Sequence, residues 1–527
     1  MRTDISTFLT LAAAVRFTAA RPTPTDSRRQ TTNDVDYVVI GGGPAGFVVA
    51  EQLSRNSSAT VMLLEAGPEN AGVDLIDVPI LASGLIRTIH AWNYTSQPDP
   101  NLDGGAPVLD QGRGFGGGSA INYMGHCRGA ASVFDEWADI SGDEGLRWNS
   151  LLDSFRATTH YARLDAQTFN PPLDASNYGD GPLELVVRNN DLGVESAAIM
   201  AYQAALGLPF ADLSSGTGIG VSAGVLGVRA ENRTRVFASQ AFGWQMAGRS
   251  NAQQIHGAWV TRIGFDGTRA TSVSYTNPRD QSENTTVNAR EVILAAGAIS
   301  SPKLLMLSGI GPADHLQNMS IPVVADIPQV GKNLYDHHFG YLQYEVEDQV
   351  LTLNQYNDNS SLASEWDEMY SQQPAAGPMG VPQGAAFAVY RAPDSVFSGV
   401  NSSFHTDLPK DRGHLLLQAA TVPFNPDNQQ GNMVSPFVAL VQPEASGEMY
   451  LASADYRDDP VINSNYWGSE SDKAAMLHGY KQLRAVWATS SLQSLARREV
   501  YPGPNVTSDE DLWRAIQRSA GSFHHPV

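Results

Sequence analysis

The stretch that decides the fold runs from Val35 to Gly67, VDYVVIGGGPAGFVVAEQLSRNSSATVMLLEAG. VDYVVI is a β-rich apolar run, GGGPAG is a turn, and Ala45, Val48, Val49 and Leu53 recur at helical spacing before ATVMLLEAG reads as a second buried strand. Gly41, Gly43 and Gly46 form G-x-G-x-x-G directly after a strand and at the opening of a helix, the context that gives this pattern meaning. Gly41 permits the tight turn, Gly43 admits a pyrophosphate to the backbone, and Gly46 lets helix and strand pack closely. Glu65 ends the second strand about 20 residues on, where a carboxylate can accept both hydroxyls of an adenosine ribose. The unit predicts the start of a parallel dinucleotide-binding sheet. NAD and FAD fit it equally, because both carry the adenosine diphosphate that it grips.

Outward from this unit, REVILAAGA from Arg290 is another apolar strand running into small residues, and SPKLLMLSGIG reads as the helix after it, with Ser301 as cap and Pro302 in the first turn. Beyond about residue 340, HLLLQAATVPF and FVALVQPEASGEMYLASAD alternate at strand period and predict a largely antiparallel second sheet. The expected class is α/β. Its parts are a leader over 1–33, a cofactor-binding region over 34–340, and a region over 341–527 holding the substrate side.

Further motifs narrow the cofactor. GRGFGGGSAINYMGHCRG, Gly112 to Gly129, puts consecutive small residues where a chain can pass close under a flat ring and aim backbone N–H groups at its polar edge. This segment resembles the first signature of the glucose-methanol-choline (GMC) oxidoreductases, and GAISSPKLLMLSGIG, Gly297 to Gly311, resembles the second. VGKNLYDH from Val330, SGEMYLASADYRDDPVINSNY from Ser446, QQIHGAWVTRI and the final SFHHPV are similar to later landmarks of that family, so the resemblance runs from about Asp34 to the last residue.

The resemblance implies a noncovalently bound FAD. Gly116, Gly117, Ser119 and Asn122 match the positions along the flavin, Val260 matches a valine that packs on adenine, and Ile121 stands where a flavin-linking histidine would precede the asparagine. Phe115 and His126 depart from the usual residues. His525, immediately before Pro526, matches the catalytic base, and His524 would line the pocket or point away. The implied activity is oxidation of a small-molecule alcohol to a carbonyl compound, with oxygen or a quinone as electron acceptor. No metal is expected, since the adjacent His524 and His525 chelate poorly and have no partner cluster.

The family extends about 50 to 60 residues beyond the histidine, so the resemblance also implies a chain incomplete at its C-terminus. The alternative reading is therefore a catalytically inactive truncated homologue. An NAD-dependent dehydrogenase built on the first motif alone would leave both GMC signatures unexplained.

Composition sets the remaining bounds. The 527 residues exceed one hydrophobic core. A net charge of −21 repels nucleic-acid backbones and anionic membranes at long range. The start MRTDISTFLTLAAAVRFTAARPTP carries Arg2, an apolar run from Phe8 to Val15 and small residues at Ala19 and Ala20, the layout of a secretory signal, and the run is too short to span a bilayer. Asn-x-Ser/Thr acceptors at Asn56, Asn93, Asn232, Asn284, Asn318, Asn359, Asn401 and Asn505 agree with a secreted glycoprotein. Cys127 is the only cysteine, so no intramolecular disulfide is possible.

Overall fold

The opening stretch folds as its apolar pattern requires. In the structure, a computed structural model, residues 34–164, 173–187, 192–277, 280–384 and 386–526 are described, with backbone alone at 280–282 and 524–526. The leader over 1–33 lies outside the described residues.

Strand Asp34–Ile40 pairs in parallel with Val61–Leu64 on one side and with Asp280–Leu294 on the other, and helix Pro44–Ser54 makes the first crossover. Ala252–Ile255 adds a fourth parallel strand beyond Val61–Leu64. Arg269–Asn277 and Val260–Asp266 continue the sheet antiparallel from its other side, giving six strands. Both faces are covered. Val38, Ile40, Met62 and Leu64 pack with Val260 and Leu304 on one face, while Val39, Val61 and Leu63 meet Phe47 and Ala50 on the other. That is why these strands read as unbroken apolar runs rather than as alternation.

Two details differ from the sequence reading. Helix Pro44–Ser54 buries Gly46, Phe47, Ala50, Glu51 and Ser54, not the Ala45, Val48, Val49 and Leu53 stripe. Its residues are apolar nearly all round, so periodicity could not choose the face. The Glu51 carboxylate decides it, because it is fully buried against Arg55 at 3.0 Å and Arg249 at 2.7 Å. The helix of the second signature spans Gly297–Leu307 with Ala296 as N-cap, so Ser301 does not cap it and Pro302 lies inside. The carbonyl that Pro302 cannot bond, and that its ring crowds, belongs to Ala298, four residues earlier.

The second sheet is antiparallel throughout. Its order is Ala496–Tyr501, Gln343–Val346, Met433–Leu440, Leu415–Ala420, Phe387–Tyr390 and Gly220–Ser222, with Asp336–Tyr341 joining Met433–Leu440 to Gly521–Pro526. Two of these strands, Gly220–Ser222 and Asp336–Tyr341, begin before residue 341. Helix Glu470–Trp487 covers one face, where an added Cβ on Gly479 would sit 2.8 Å from Leu415 and 2.9 Å from Val438. The opposite face carries Tyr341, Phe437, Phe339, Phe424 and Phe523. Among the described residues no helix is long and apolar enough to cross a membrane.

Candidate cofactor and active site

The parallel strands end in register: Ile40 pairs with both Leu64 and Leu294. Gly41, Glu65 and Ala295 therefore leave the sheet side by side at its C-terminal edge, where open parallel sheets bind ligands. Gly41 N donates to Leu64 O at 2.8 Å and Ala295 N to Ile40 O at 2.8 Å, fixing the start of the crevice.

The three motif glycines answer to different demands. A Cβ on Gly41 would lie 2.3 Å from Ala295 O, and one on Gly46 would lie 1.9 Å from Gly41 O, so the fold itself needs both. A Cβ on Gly43 meets nothing closer than Gly117 Cα at 4.0 Å. Protein packing does not require glycine at position 43.

The second glycine loop lies on the first. Gly116 N donates to Gly42 O at 2.7 Å, and a Cβ on Gly117 would stand 2.7 Å from Gly43 Cα. Gly116 is further constrained by the Phe237 ring, 2.4 Å from where its Cβ would be. Phe115, one of the unusual residues, is buried with its ring 5.2 Å from Phe47, so the departure is absorbed by packing on helix Pro44–Ser54. His126, the other, has a buried Nε2 without a partner, and burial pushes its pKa down to about 4, leaving a neutral ring at pH 7.

Glu65 binds the two loops together. Its Oε2 accepts from Gly42 N at 2.7 Å, and its Oε1 from Gly67 N at 2.8 Å and Gly114 N at 3.0 Å. About four acceptor sites are available on a carboxylate, so three are occupied by backbone before any ribose arrives.

Ser119 and Asn122 also turn their oxygens to protein. Ser119 Oγ donates to Gly116 O at 2.6 Å and accepts from Ala238 N at 3.0 Å. Asn122 Oδ1 accepts from Met124 N at 3.0 Å and Arg235 Nη1 at 2.9 Å. Sequence reading missed Arg235, a fully buried cation behind this loop.

Val260 lines a cleft with Gly41, Trp92, Trp259, Lys303 and Tyr456. Trp259 lies 5.0 Å from Trp92 and 5.2 Å from Tyr456, and Lys303 Nζ stands 5.9 Å from the Trp259 ring. Burial lowers the Lys303 pKa, and Asp459, Asp458 and Asp455 oppose that shift. Trp259 adjoins Val260 in sequence and Lys303 sits inside the second signature, so both were within reach of a closer reading of those motifs.

His525 lies in strand Gly521–Pro526, where Pro526 pairs with Asp336 and Ser522 with His338. Helix Gly297–Leu307, which carries the second signature, touches this strand. Asp336 is held by the Tyr466 hydroxyl, and Tyr466 stacks on His338 at 4.6 Å. The His525 side chain lies outside the described residues.

The site suits a flavin dinucleotide on two structural grounds: the open face at Gly43, and the buried donor Arg113 Nε, left without a partner in the second loop.

Comparison with known proteins agrees. The chain is 30% identical over 520 residues to pyranose dehydrogenase 3 of Leucoagaricus meleagris, and 31% identical over 507 residues to the oxygen-dependent choline dehydrogenase of Yersinia pseudotuberculosis. Each alignment covers 94% of this chain and 83% of the relative. A solved FAD-dependent oxidoreductase from Chaetomium thermophilum superposes with a TM-score of 0.82 at 25% identity, over 92% of this chain and 88% of that one. The sequence models of the GMC oxidoreductase N- and C-terminal regions match residues 35–339 and 443–527. This second match corrects one expectation: the family's C-terminal region is present from residue 443, and its helices and final paired strand are formed, so truncation is not supported. With both regions matched, two glycine loops in contact and an open face at the end of the parallel strands, the chain belongs to the GMC oxidoreductases, FAD-dependent enzymes acting on CH–OH groups.

Proposed function

We propose that this protein oxidises an alcohol to a carbonyl compound, with FAD held noncovalently across the two glycine loops and His525 as the base. The observation that carries the reading is Gly43, which no protein atom obliges to be glycine and which opens the crevice toward the second loop. Gly41–Gly46, at the N-terminus of helix Pro44–Ser54, would hold the pyrophosphate, whose charge the helix dipole favours. Glu65 would offer its remaining acceptor site to a ribose hydroxyl, and Val260 would pack on the adenine. Gly116, Gly117, Ser119 and Asn122 would hold the ring.

FAD held there would supply the hydride acceptor for the carbinol carbon. His525 takes the hydroxyl proton, so the alcohol loses a hydride and a proton together and becomes the carbonyl. A histidine with an ordinary pKa near 6.5 suits that task around neutral pH, and a placed base contributes roughly 10² to 10⁴ in rate. Oxygen or a quinone is the electron acceptor that this reading implies.

The substrate side favours an apolar alcohol. Two residues before His525, Phe523 packs 5.2 Å from Phe437, which in turn lies 5.3 Å from Phe339 and 6.0 Å from Phe424. Gln343, the buried amide near this wall, spends its oxygen on Phe424 N and Asn425 N and its nitrogen on Asn428 O. Such a surface offers rings and few free hydrogen bonds to a polyol. Secretion is proposed from the leader, supported by the exposure of every Asn-x-Ser/Thr asparagine except Asn232.

The test is anaerobic reduction of the FAD-loaded protein by alcohols, read as bleaching of the visible flavin band. Arylmethanols and apolar primary alcohols are expected to bleach it faster than glucose or choline, and His525→Ala to slow it by two or more orders of magnitude. Loaded flavin that no alcohol reduces overturns the reading.

A further inference from the structure

Arg235 is the largest buried charge that this chemistry leaves unused. Its guanidinium is wholly enclosed, and each of its bonds reaches a segment beside the second glycine loop. Nε donates to Ile76 O at 2.7 Å; Nη1 donates to Asn122 O at 2.5 Å, Asn122 Oδ1 at 2.9 Å and Ser119 O at 3.2 Å. Nη2 is buried without a partner. Behind it, Gln240 Nε2 donates to Asp77 Oδ1 at 3.2 Å and Arg235 N donates to Asp77 O at 2.9 Å, and the Asp77 charge acts on the cation. Burial draws its pKa down to about 9, against the pull of Asp77, which still leaves it charged at pH 7.

The consequence falls on Asn122. An amide can turn either end outward, but two donors, Arg235 Nη1 and Met124 N, both point at one atom. Only the oxygen can meet them; the reversed amide would set its NH₂ against two N–H groups in a buried site and lose both bonds. Nδ2 makes no hydrogen bond among the described residues, so the group left for the ring side of the loop is a donor.

We propose that Arg235 is a positioning residue: it fixes the Asn122 amide so that Nδ2 is offered as a donor to the bound cofactor ring or to the substrate oxygen, and it places a fixed positive charge behind the loop. Both effects favour the state in which the ring carries more negative charge, so they make the flavin easier to reduce. This rests on the assignment of Gly112–Asn122 to the ring. If the unaltered protein binds no FAD, that assignment fails first; the variants below bear on Arg235 only once it does.

The experiment measures the midpoint potential and visible spectrum of bound FAD, with FAD affinity and melting temperature, in the holoprotein and in Arg235→Met, Arg235→Lys and Asn122→Asp. Arg235→Met is expected to shift the reduction equilibrium at least tenfold toward oxidised flavin, about 30 mV for two electrons, and to alter the flavin band. Arg235→Lys restores part of the shift, because an ammonium keeps the charge and reaches some of the same carbonyls. Asn122→Asp keeps an oxygen for Arg235 and Met124 N but replaces the free donor by an acceptor, so it lowers the potential in a protein that retains the clamp. A role confined to folding would lower the melting temperature and leave the potential alone. Should Arg235→Met fail to retain FAD, Asn122→Asp decides: an unchanged potential and spectrum there overturn the proposal, as does an unchanged potential in folded, loaded Arg235→Met.

Discussion

Replacing Gly43 by alanine separates what the fold needs from what the cofactor needs. The added methyl has 4.0 Å to its nearest protein neighbour, and Gly43 sits at φ −85°, a backbone that any L-residue adopts. Two small terms act on the FAD-free protein. Alanine restricts the unfolded chain, worth about 0.4–1 kcal/mol in favour of the fold, and it is a poorer N-cap than glycine, which costs a similar amount. The FAD-free variant is therefore expected to melt within about 1 kcal/mol of the parent. The cofactor meets the methyl directly. Losing one charge-assisted bond from a backbone N–H to the pyrophosphate costs about 1.5–3 kcal/mol, or roughly ten- to 150-fold in affinity at 1.4 kcal/mol per decade. Titration of the FAD-free protein with FAD, followed by quenching of flavin fluorescence, measures this, and thermal melts with and without FAD give an independent value, since binding adds RT ln(1 + [FAD]/Kd) to stability. Gly46→Ala is the control: its methyl would lie 1.9 Å from Gly41 O, so it should damage the FAD-free fold as well. The reasoning fails if Gly43→Ala binds FAD within twofold of the parent, or if its FAD-free form melts as low as Gly46→Ala.

Glu65→Gln should weaken FAD binding and also destabilise the FAD-free protein by about 1–3 kcal/mol, because its NH₂ would face one of the backbone donors Gly42 N, Gly67 N or Gly114 N; a melting temperature equal to the parent's would remove Glu65 from its loop-tying role. Burial pushes the His414 pKa down to about 3, with His405 and Arg391 acting in the same direction, so its neutral form is favoured by the fold. The stability this gives is complete above the ordinary value near 6.5 and is lost as pH falls from there toward 3, at up to about 1.4 kcal/mol per pH unit. His414→Leu should flatten the fall in melting temperature between pH 6.5 and 4 by one proton's worth, and an unchanged slope would show that His414 does not titrate with unfolding. Treatment with an endoglycosidase should lower the apparent mass of protein from its native host, and an unchanged mass would count against secretion.

How much was legible follows from how local each signal is. The strand, turn, helix and strand from Val35 to Gly67 were readable because adjacent residues carry them: apolar runs, three spaced glycines and a terminal glutamate. The two GMC signatures were readable in the same way, and with them the family, the cofactor and the α/β class with its second antiparallel sheet. The face of helix Pro44–Ser54 was not readable, since nearly all of its residues are apolar and the choice fell to a buried ion pair with Arg249, 198 residues from Glu51. Nor was the start of the second-signature helix, where Pro302 suggested a first turn that packing instead placed at Gly297. The division of labour among Gly41, Gly43 and Gly46 appears only when Ala295 and Gly117 are brought against them.

Arg235 marks the limit most plainly. In the sequence it is one arginine among several, and nothing within its neighbourhood points to Asn122, 113 positions earlier. A buried cation is stable only where carbonyls and a carboxylate converge on it from different segments, and here Ile76, Asp77, Ser119 and Asn122 do so. The sequence by itself determined which cofactor this chain holds and which class of bond it acts on, because short motifs encode those contacts along the chain. Only the tertiary structure decided which groups hold the second glycine loop in place, because that depends on hydrogen bonds between residues that folding alone makes neighbours.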